Sequence, residues 1–429
     1  MKTAWMARLA AAAAALATAA AWGEAVPQAL VERVRYIGTV SYSRVVVDLS
    51  APVEFRLTPV LPEGGSGPPD RLVVDLAGAR IGPEAREPLS VGDALVRGIR
   101  TGQYTAGTAR VVLDLAAAAE ARAFTLPDPY RLVIDLKGKA AAAPTQAAKI
   151  RRLDTARADD RPAESRREAA PDPPRAAGKP AVERAAPPAT TAAKRFQVVI
   201  DPGHGGKDPG ARGFGGLEEK DLVLSVSRRL AALLRADPAI DVALTRSDDR
   251  YLSLEERTGF ANAQGADLFV SVHANASANP SLRGVEVYYL NNTDNRGTLR
   301  LAAMENNLRW DPRNSQLQAA IPDLSYILSD LRQTYKVEES KQLAEHLQGA
   351  VVSRLQERYE GVDDLGVKEG PFYVLVGAYM PCVLVEVSFL THPVEGRRLG
   401  TSTYQETLAD GIFRGIRRYL SQTKLAKTL

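Results

Sequence analysis

The chain has 429 residues, 45% of them hydrophobic and 25% charged, with 27 Pro, 33 Gly, a single Cys and a formal net charge of +4. That length exceeds one ordinary core, and the composition excludes a collagen-like, a wholly disordered or a disulfide-stapled chain. Twelve Lys and Arg against seven Asp and Glu between Lys139 and Lys194, with Lys2 and Arg8 at the start, account for the whole basic excess, so no basic domain is left to track phosphates. Taken in chain order, Lys2 and Arg8 come first, in front of an Ala-rich apolar run from Leu9 to Trp22 that leads to Gly23, Glu24 and Ala25. A charged start, a short apolar run and small residues predict a secretory signal over residues 1–25. The run is shorter than the roughly 20 apolar residues of a spanning helix. No later segment is longer, so the mature protein is expected to be exported without a membrane span, and its one thiol needs no disulfide there.

Residues 28–138 read as short strands with an internal echo. Arg44-Val45-Val46-Val47-Asp48-Leu49 returns as Arg110-Val111-Val112-Leu113-Asp114-Leu115, and Arg71-Leu72-Val73-Val74-Asp75-Leu76 returns as Arg131-Leu132-Val133-Ile134-Asp135-Leu136. β-branched runs bounded by Gly and Pro predict a duplicated all-β unit of two small sheets. It carries no His and no Cys, so binding is expected of it before catalysis. Residues 139–194 are rich in Ala, Pro, Arg and Asp, with Pro162, Pro171, Pro173, Pro174, Pro180, Pro187 and Pro188 against a helix. Such a stretch cannot bury enough surface to offset its ordering entropy and reads as a disordered tether.

From residue 195 to 424 strands and helices alternate. Phe196–Ile200, Asp241–Thr245, Leu268–Ala274, Gly284–Leu290, Phe372–Leu375 and Cys382–Val387 are predicted strands. Asp221–Arg235, Ser253–Ala263, Glu338–Tyr359 and Tyr404–Leu420 are predicted helices. The alternation predicts an α/β domain, a mixed sheet with helices on both faces, whose function sits in loops at strand ends. Two of the four histidines occupy such ends: His204 within Asp201-Pro202-Gly203-His204-Gly205-Gly206, and His273 within Ser271-Val272-His273-Ala274-Asn275. Glu218 and Glu219 precede the helix near Asp221, which would bring one carboxylate to the same edge. Two imidazoles and a carboxylate, with one position left for water, match a catalytic zinc site. Spacing alone leaves zinc and a merely hydrogen-bonded pair of histidines both open. Glu386, an acid inside the apolar run Cys382–Val387, needs a partner or a proton-handling task. His346 and His392 read as surface or packing residues, and Cys382 as a buried core thiol.

The repeated signature of residues 28–138 resembles the AMIN domain of exported bacterial envelope proteins, which implies attachment to peptidoglycan and enrichment at the division site. The run Asp201 to Ala211 resembles the opening motif of zinc-dependent N-acetylmuramoyl-L-alanine amidases. The likeness continues through Glu219-Lys220, Thr245-Arg246, Ser271 to Asn275 and Glu386-Val387-Ser388-Phe389-Leu390. It implies that His204, Glu219 and His273 hold Zn2+ and that Glu386 is the catalytic glutamate, Glu219 being chosen over Glu218 because the family's ligand directly precedes a Lys-like position. It implies hydrolysis of the amide between the lactyl group of N-acetylmuramic acid and L-alanine, in cell-wall turnover and daughter-cell separation. The domain order matches the periplasmic cell-separation amidases of Gram-negative bacteria. After the Glu386 strand this chain has Thr391-His392-Pro393 where the family commonly has small residues and Asn-Pro.

Between Leu290 and Glu338 an insertion, residues 291–338, is too long for an idle loop. Leu299 to Leu308 shows one helical pattern, and Leu324, Ile327, Leu328 and Leu331 give a second an apolar stripe that ordinary core packing would also produce. Related amidases carry a helical plug here. Glu305 is accordingly expected to occupy the open metal position at rest until a coiled-coil activator of the division machinery releases it. A zinc peptidase cutting deeper in the stem peptide and a silent wall-binding scaffold are the competing readings; nucleic-acid binding fails on charge distribution.

Overall fold

The computed structural model describes residues 28–39, 41–62, 69–127, 129–138, 151–155, 195–308 and 331–423. The expected signal, most of the expected tether and the stripe residues Leu324, Ile327 and Leu328 lie outside them.

The N-terminal unit is all β, in two sheets. The first contains β1 (Ala29–Gly38), β2 (Tyr42–Leu49), β5 (Ala79–Ile81), β9 (Ala119–Leu126), β10 (Tyr130–Gly138) and β11 (Arg151–Asp154), in the order β11-β1-β2-β10-β9 with β5 pairing β1. The second runs β3 (Glu54–Val60), β4 (Arg71–Ala77), β8 (Thr108–Leu115), β7 (Val96–Thr105) and β6 (Leu89–Ser90). Val45, Val47, Leu132 and Ile134 of one sheet meet Leu72, Val74, Val111 and Leu113 of the other in a shared core. Strand β8 alternates buried and half-buried residues, as a strand with one solvated face must. Strand β2 is buried at every position, because its second face is covered by the next domain. β11 arises inside the stretch read as a tether: Arg151 to Asp154 pair antiparallel with Arg35 to Gly38, and the Thr155 hydroxyl accepts from the Val34 N–H. Open backbone groups on the β1 edge supply what the sequence of that stretch lacks in apolar content.

The C-terminal unit is a six-stranded mixed sheet, β13-β12-β14-β17-β15-β16, flanked by helices on both faces. Its elements in order are β12 (Phe196–Pro202), α1 (Glu219–Arg235), β13 (Ile240–Leu244), α2 (Leu254–Ala263), β14 (Leu268–Asn275), β15 (Val285–Leu290), α3 (Arg296–Glu305), α4 (Leu331–Gln356), β16 (Asp364–Gly370), β17 (Cys382–Phe389), α5 (Glu395–Leu399) and α6 (Ser402–Gln422). Only the β15–β17 pair is antiparallel within this sheet. One core lies under α1, α4 and α6, and a second under α2 and α3. The segment predicted as a strand at Phe372–Leu375 is instead a 3₁₀ turn, Tyr373–Leu375, buried against Tyr288 and Leu301. Pro371 before it and Gly377 after it bound an apolar run too short for its length to tell strand from helix.

The two domains share a buried polar seam along α2. Arg44, fully buried, clamps Asp135 at 2.6 and 2.7 Å and donates to the Glu255 carbonyl, the Thr258 hydroxyl and the Gly377 carbonyl. The Glu255 carboxylate takes Arg35 at 2.8 Å and Arg131 at 3.0 Å. Asn262 reaches the Tyr42 hydroxyl, and Tyr379 donates to Asp135. Val46, Leu126 and Val133 complete the apolar side of the same contact.

Candidate metal centre

β12, β14 and β17 are adjacent and parallel, so their carboxyl ends open on one edge of the sheet. His204 lies two residues past β12, at φ 55°, in the left-handed region that a non-glycine residue adopts only when held there. Arg257 of α2 does the holding: it donates to the carbonyls of Pro202 and His204 and to the buried Asp201 carboxylate. Thr245 and Ser271 complete the shell around Asp201; burial disfavours its charge, but Arg257 and these hydroxyls keep its carboxyl below the ordinary range. Glycine is required on both sides of the cluster. A Cβ at Gly203 would stand 2.4 Å from the His273 ring, and one at Gly210, where φ is +65°, would stand 2.6 Å from Glu219 Oε2.

Glu219 is the first residue of α1, and Glu218 points away to Arg212. The Glu219 carboxylate is fixed by the Ala211 and Ala274 N–H groups at 2.9 and 3.0 Å. Its oxygens lie 3.2 Å from His204 Nε2 and 3.1 Å from His273 Nδ1. Glu305, the last residue of α3, brings Oε2 to 3.3 Å from His204 Nε2 and 2.8 Å from His273 Nδ1. All four residues offer a ligand atom within 4.8 Å of one another.

The donor set fits a zinc ion. Two imidazole nitrogens and two carboxylate oxygens are its usual partners. His204 Nε2 and Glu305 Oε2 are buried, stand 3.3 Å apart and meet no well-aligned hydrogen-bond partner among the described residues, as atoms waiting for a shared ion would. Asp208 bonds His204 Nδ1 at 3.0 Å, the orienting contact that a metal-ligating imidazole commonly makes. Burial opposes charge on His273, but Glu305 and Glu219 outweigh it and raise the ring to about 9. His204 is raised in the same way, against burial, by Glu219 and Glu305. The pocket is therefore built to hold positive charge.

Glu386 sits in the middle of β17, in register with His273 on β14 and with Glu286 on β15. It is fully buried, and neither carboxylate oxygen has a hydrogen-bond partner among the described residues. Burial first, then Glu305, Glu219 and Glu286, push its carboxyl well above the ordinary range. Glu286 is itself held by Asn275 at 2.6 Å and by Lys368.

Thus the residues singled out in the sequence, His204, Glu219, His273, Glu305 and Glu386, come together on one sheet edge. Asp208, Arg257, Glu286 and Lys368 were not singled out. Asp208 was legible as an acid four residues after His204, and Arg257 as a charge on the inward face of its helix. His392 accepts from the Val394 and Glu395 N–H groups, and His346 bonds Gln342 and Gln422, both remote from the cluster. Cys382 is buried.

A family profile described as N-acetylmuramoyl-L-alanine amidase matches residues 198–418, and one described as the AMIN domain matches residues 66–127. The N-acetylmuramoyl-L-alanine amidase AmiC of Neisseria meningitidis serogroup B is 32% identical over 373 residues, covering 84% of this chain and 84% of its own. The Escherichia coli K12 enzyme AmiA is 36% identical over 226 residues, 52% of this chain and 75% of its own. The crystal structure of the Clostridium difficile 630 amidase overlays at 31% identity and a TM-score of 0.41, over 54% of this chain and 100% of that one.

Proposed function

Because this chain belongs to the N-acetylmuramoyl-L-alanine amidase family, with an AMIN domain in front of the catalytic one, we propose that it cleaves the amide between N-acetylmuramic acid and L-alanine by a zinc-dependent route. One observation carries the zinc reading: the convergence of His204, Glu219, His273 and Glu305 within 4.8 Å beside Glu386. His204, Glu219 and His273 would hold the ion, which when bound supplies Lewis acidity toward the scissile carbonyl and toward water.

The rest is chemistry of the chain's own groups. Asp208 fixes the His204 ring so that Nε2 faces the cluster. The Ala211 and Ala274 N–H groups hold the Glu219 carboxylate in place. Glu386 has two carboxylate oxygens free of partners among the described residues, and with its proton affinity raised it can take the proton of an attacking water and return it to the leaving L-alanine amine. Glu305 fills the position that substrate and water need, so the arrangement is the resting enzyme, and activation requires α3 to withdraw. A coiled-coil partner of the division machinery would supply that step. The work belongs to wall turnover and daughter-cell separation in the periplasm, reached through the export segment expected at residues 1–25; no described helix is long and apolar enough to cross a membrane.

The test is a digest of purified peptidoglycan by the full chain carrying Glu305→Ala, so that the plug is removed, read by mass spectrometry. Release of whole stem peptides, abolished by chelator and restored by zinc, is the expected result; trimmed stems would sink it. Glu386→Ala should lower the rate by about 10²–10⁴-fold. Glu305→Ala should raise the resting rate, and a lower or unchanged rate in the folded variant would refute the plug. That substitution is cleaner than deleting residues 296–335, because Leu299, Leu301 and Ala302 of α3 are core residues and α4 already begins at Leu331.

A further inference from the structure

A cleft of about 1130 Å³ runs between the two domains, and nothing described so far fills it. That volume is at the upper end of sites that enclose a small ligand. Its lining includes Asp208, which bonds His204, and Asn306, which follows Glu305. The cleft thus adjoins residues next to two of the cluster's members, although no cluster residue lines it.

The cleft is lined by charge of both signs, and on both some groups are unpaired: Glu32 and Glu84 are exposed on its N-terminal wall without an ion pair among the described residues, while the other carboxylates are engaged. Asp48 is taken by Arg33 and Arg35, and Glu255 by Arg35 and Arg131. Asp208 is taken by His204, and Glu256 accepts from the Ser253 N–H at the start of α2. Three cations remain without a comparable partner. Arg152, on β11, makes no ion pair among the described residues, and its buried Nε lacks any hydrogen-bond partner. Across the cleft, Arg250 has only the exposed Asp248 at 3.4 Å, besides a backbone carbonyl. Lys207 lies 4.6 Å from the centre of the half-exposed Tyr251 ring rather than beside a carboxylate. Burial holds the Arg152 pKa below the ordinary value, the nearby Glu256 carboxylate only partly offsetting it and Arg250 adding to it, while the buried Nε stays without a hydrogen-bond partner. An anion entering the cleft would relieve that.

We propose that this interdomain cleft binds the carboxylate-bearing stem peptide of the substrate, with Arg152 on the N-terminal wall and Lys207 and Arg250 on the catalytic wall as the carboxylate-binding groups. The proposal rests on the amidase reading and adds to it that the N-terminal unit contributes a substrate-binding residue to the active site. The substrate's chemistry matches the order of groups: the scissile amide belongs at the metal cluster, and the carboxylates of the stem lie beyond its first alanine. Tyr251 offers an exposed ring for an apolar portion of the same ligand.

The test uses the full chain, zinc-loaded and carrying Glu305→Ala so that the plug is removed, on soluble glycan strands with uncrosslinked stems. The same strands with their stem carboxylates amidated serve as the uncharged probe. Arg152→Gln should raise KM on the native strands about tenfold with kcat unchanged. It should leave KM on the amidated strands where it was, Arg250→Ala should act in the same direction, and Arg152→Lys should recover most of the loss. Equal KM for parent and Arg152→Gln on native strands overturns the proposal. So does a change of the same size on both strands, or a loss confined to kcat, because either is what a merely structural arginine would give. A parent that cleaves neither probe removes the amidase reading itself.

Discussion

On the sheet facing α2, Arg44 meets Asp135 at 2.6 Å, and the two side chains are 0% and 1% exposed. On the opposite sheet of the same unit, Arg110 meets Asp75 at the same 2.6 Å, but exposed by 28% and 25%. Arg35 and Asp48 have a similar counterpart in Arg100 and Asp114. Even the aromatic neighbour is repeated, as Phe124 beside Arg44 and Tyr104 over Arg110. The duplicated signature therefore encodes one local pairing twice. What separates the copies is what covers them: the first is sealed by α2 and the Gly377 turn, the second faces solvent. An ion pair in water stabilises by about 0–1 kcal/mol, whereas removing one partner of a buried pair costs about 3–5 kcal/mol. Identical residues thus serve as an interdomain seam on one sheet and as an open surface on the other.

The largest effect that would break this comparison is expected from Arg44→Ala. It leaves Asp135 buried without its cation and removes three bonds to the catalytic domain, so denaturant melts should show a loss of about 3–5 kcal/mol. Small-angle scattering should report a larger radius as the domains part. An unchanged radius and midpoint would mean that the seam does not hold the domains together.

Second in size is Arg257→Lys. α2 carries Glu255 toward the seam and Arg257 toward His204, so one helix serves both the dock and the metal cluster. A lysine cannot span Asp201, Pro202 and His204 together. Zinc affinity, measured by competition with a chromogenic chelator, is expected to fall about 10–100-fold, with the domains still docked.

The third is a pH effect at the seam. Burial raises the Glu255 pKa, but Arg131 and Arg35 outweigh it and hold the carboxylate well below its ordinary value of 4.5. A depressed pKa contributes stability that is complete above the ordinary value and is lost as pH falls toward the folded one. The wild-type chain should therefore lose seam stability below about pH 4.5. Glu255→Gln should be weaker at pH 7 and show a flatter acid limb in the melting midpoint. Burial and the neighbouring carboxylates raise the Tyr251 pKa, so it stays neutral throughout that range and does not supply the slope. Parallel acid limbs in the two proteins would assign the slope to another carboxylate.

Why the seam escaped the sequence, while the cluster did not, follows from the same duplication. His204, His273, the Glu218–Glu219 pair and Glu386 were legible because each is odd in its surroundings: a histidine after a strand, an acid before a helix or inside an apolar strand. The choice of Glu219 and the expectation for Glu305 came from the family resemblance. Arg44 and Arg110 sit in near-identical words, so nothing local says which will be buried. β11 was hidden for a related reason: Arg151 to Asp154 form a strand only because the edge of β1 is open to them. The mixed sheet was readable from alternation, but the 3₁₀ turn at Tyr373–Leu375 was not, since an apolar run of that length has no period to read.

The smallest expected effect is also the sharpest control. Arg110→Ala removes the residue equivalent to Arg44, breaking an ion pair of the same length in the same strand context. If the pairing itself were the source of stability, Arg110→Ala and Arg44→Ala would lower the midpoint alike. If covering is the source, Arg110→Ala should change stability by less than about 1 kcal/mol, because water replaces the lost partner and Asp75 stays solvated. Tyr104, 59% exposed and stacked at 3.4 Å on the guanidinium, would lose its partner as well, so any residual loss reports that contact. Both variants should then be weighed for retention on purified peptidoglycan. A fall for Arg110→Ala with no fall in stability would assign the open copy to wall binding, and retention equal to wild type would leave that sheet without a part in it.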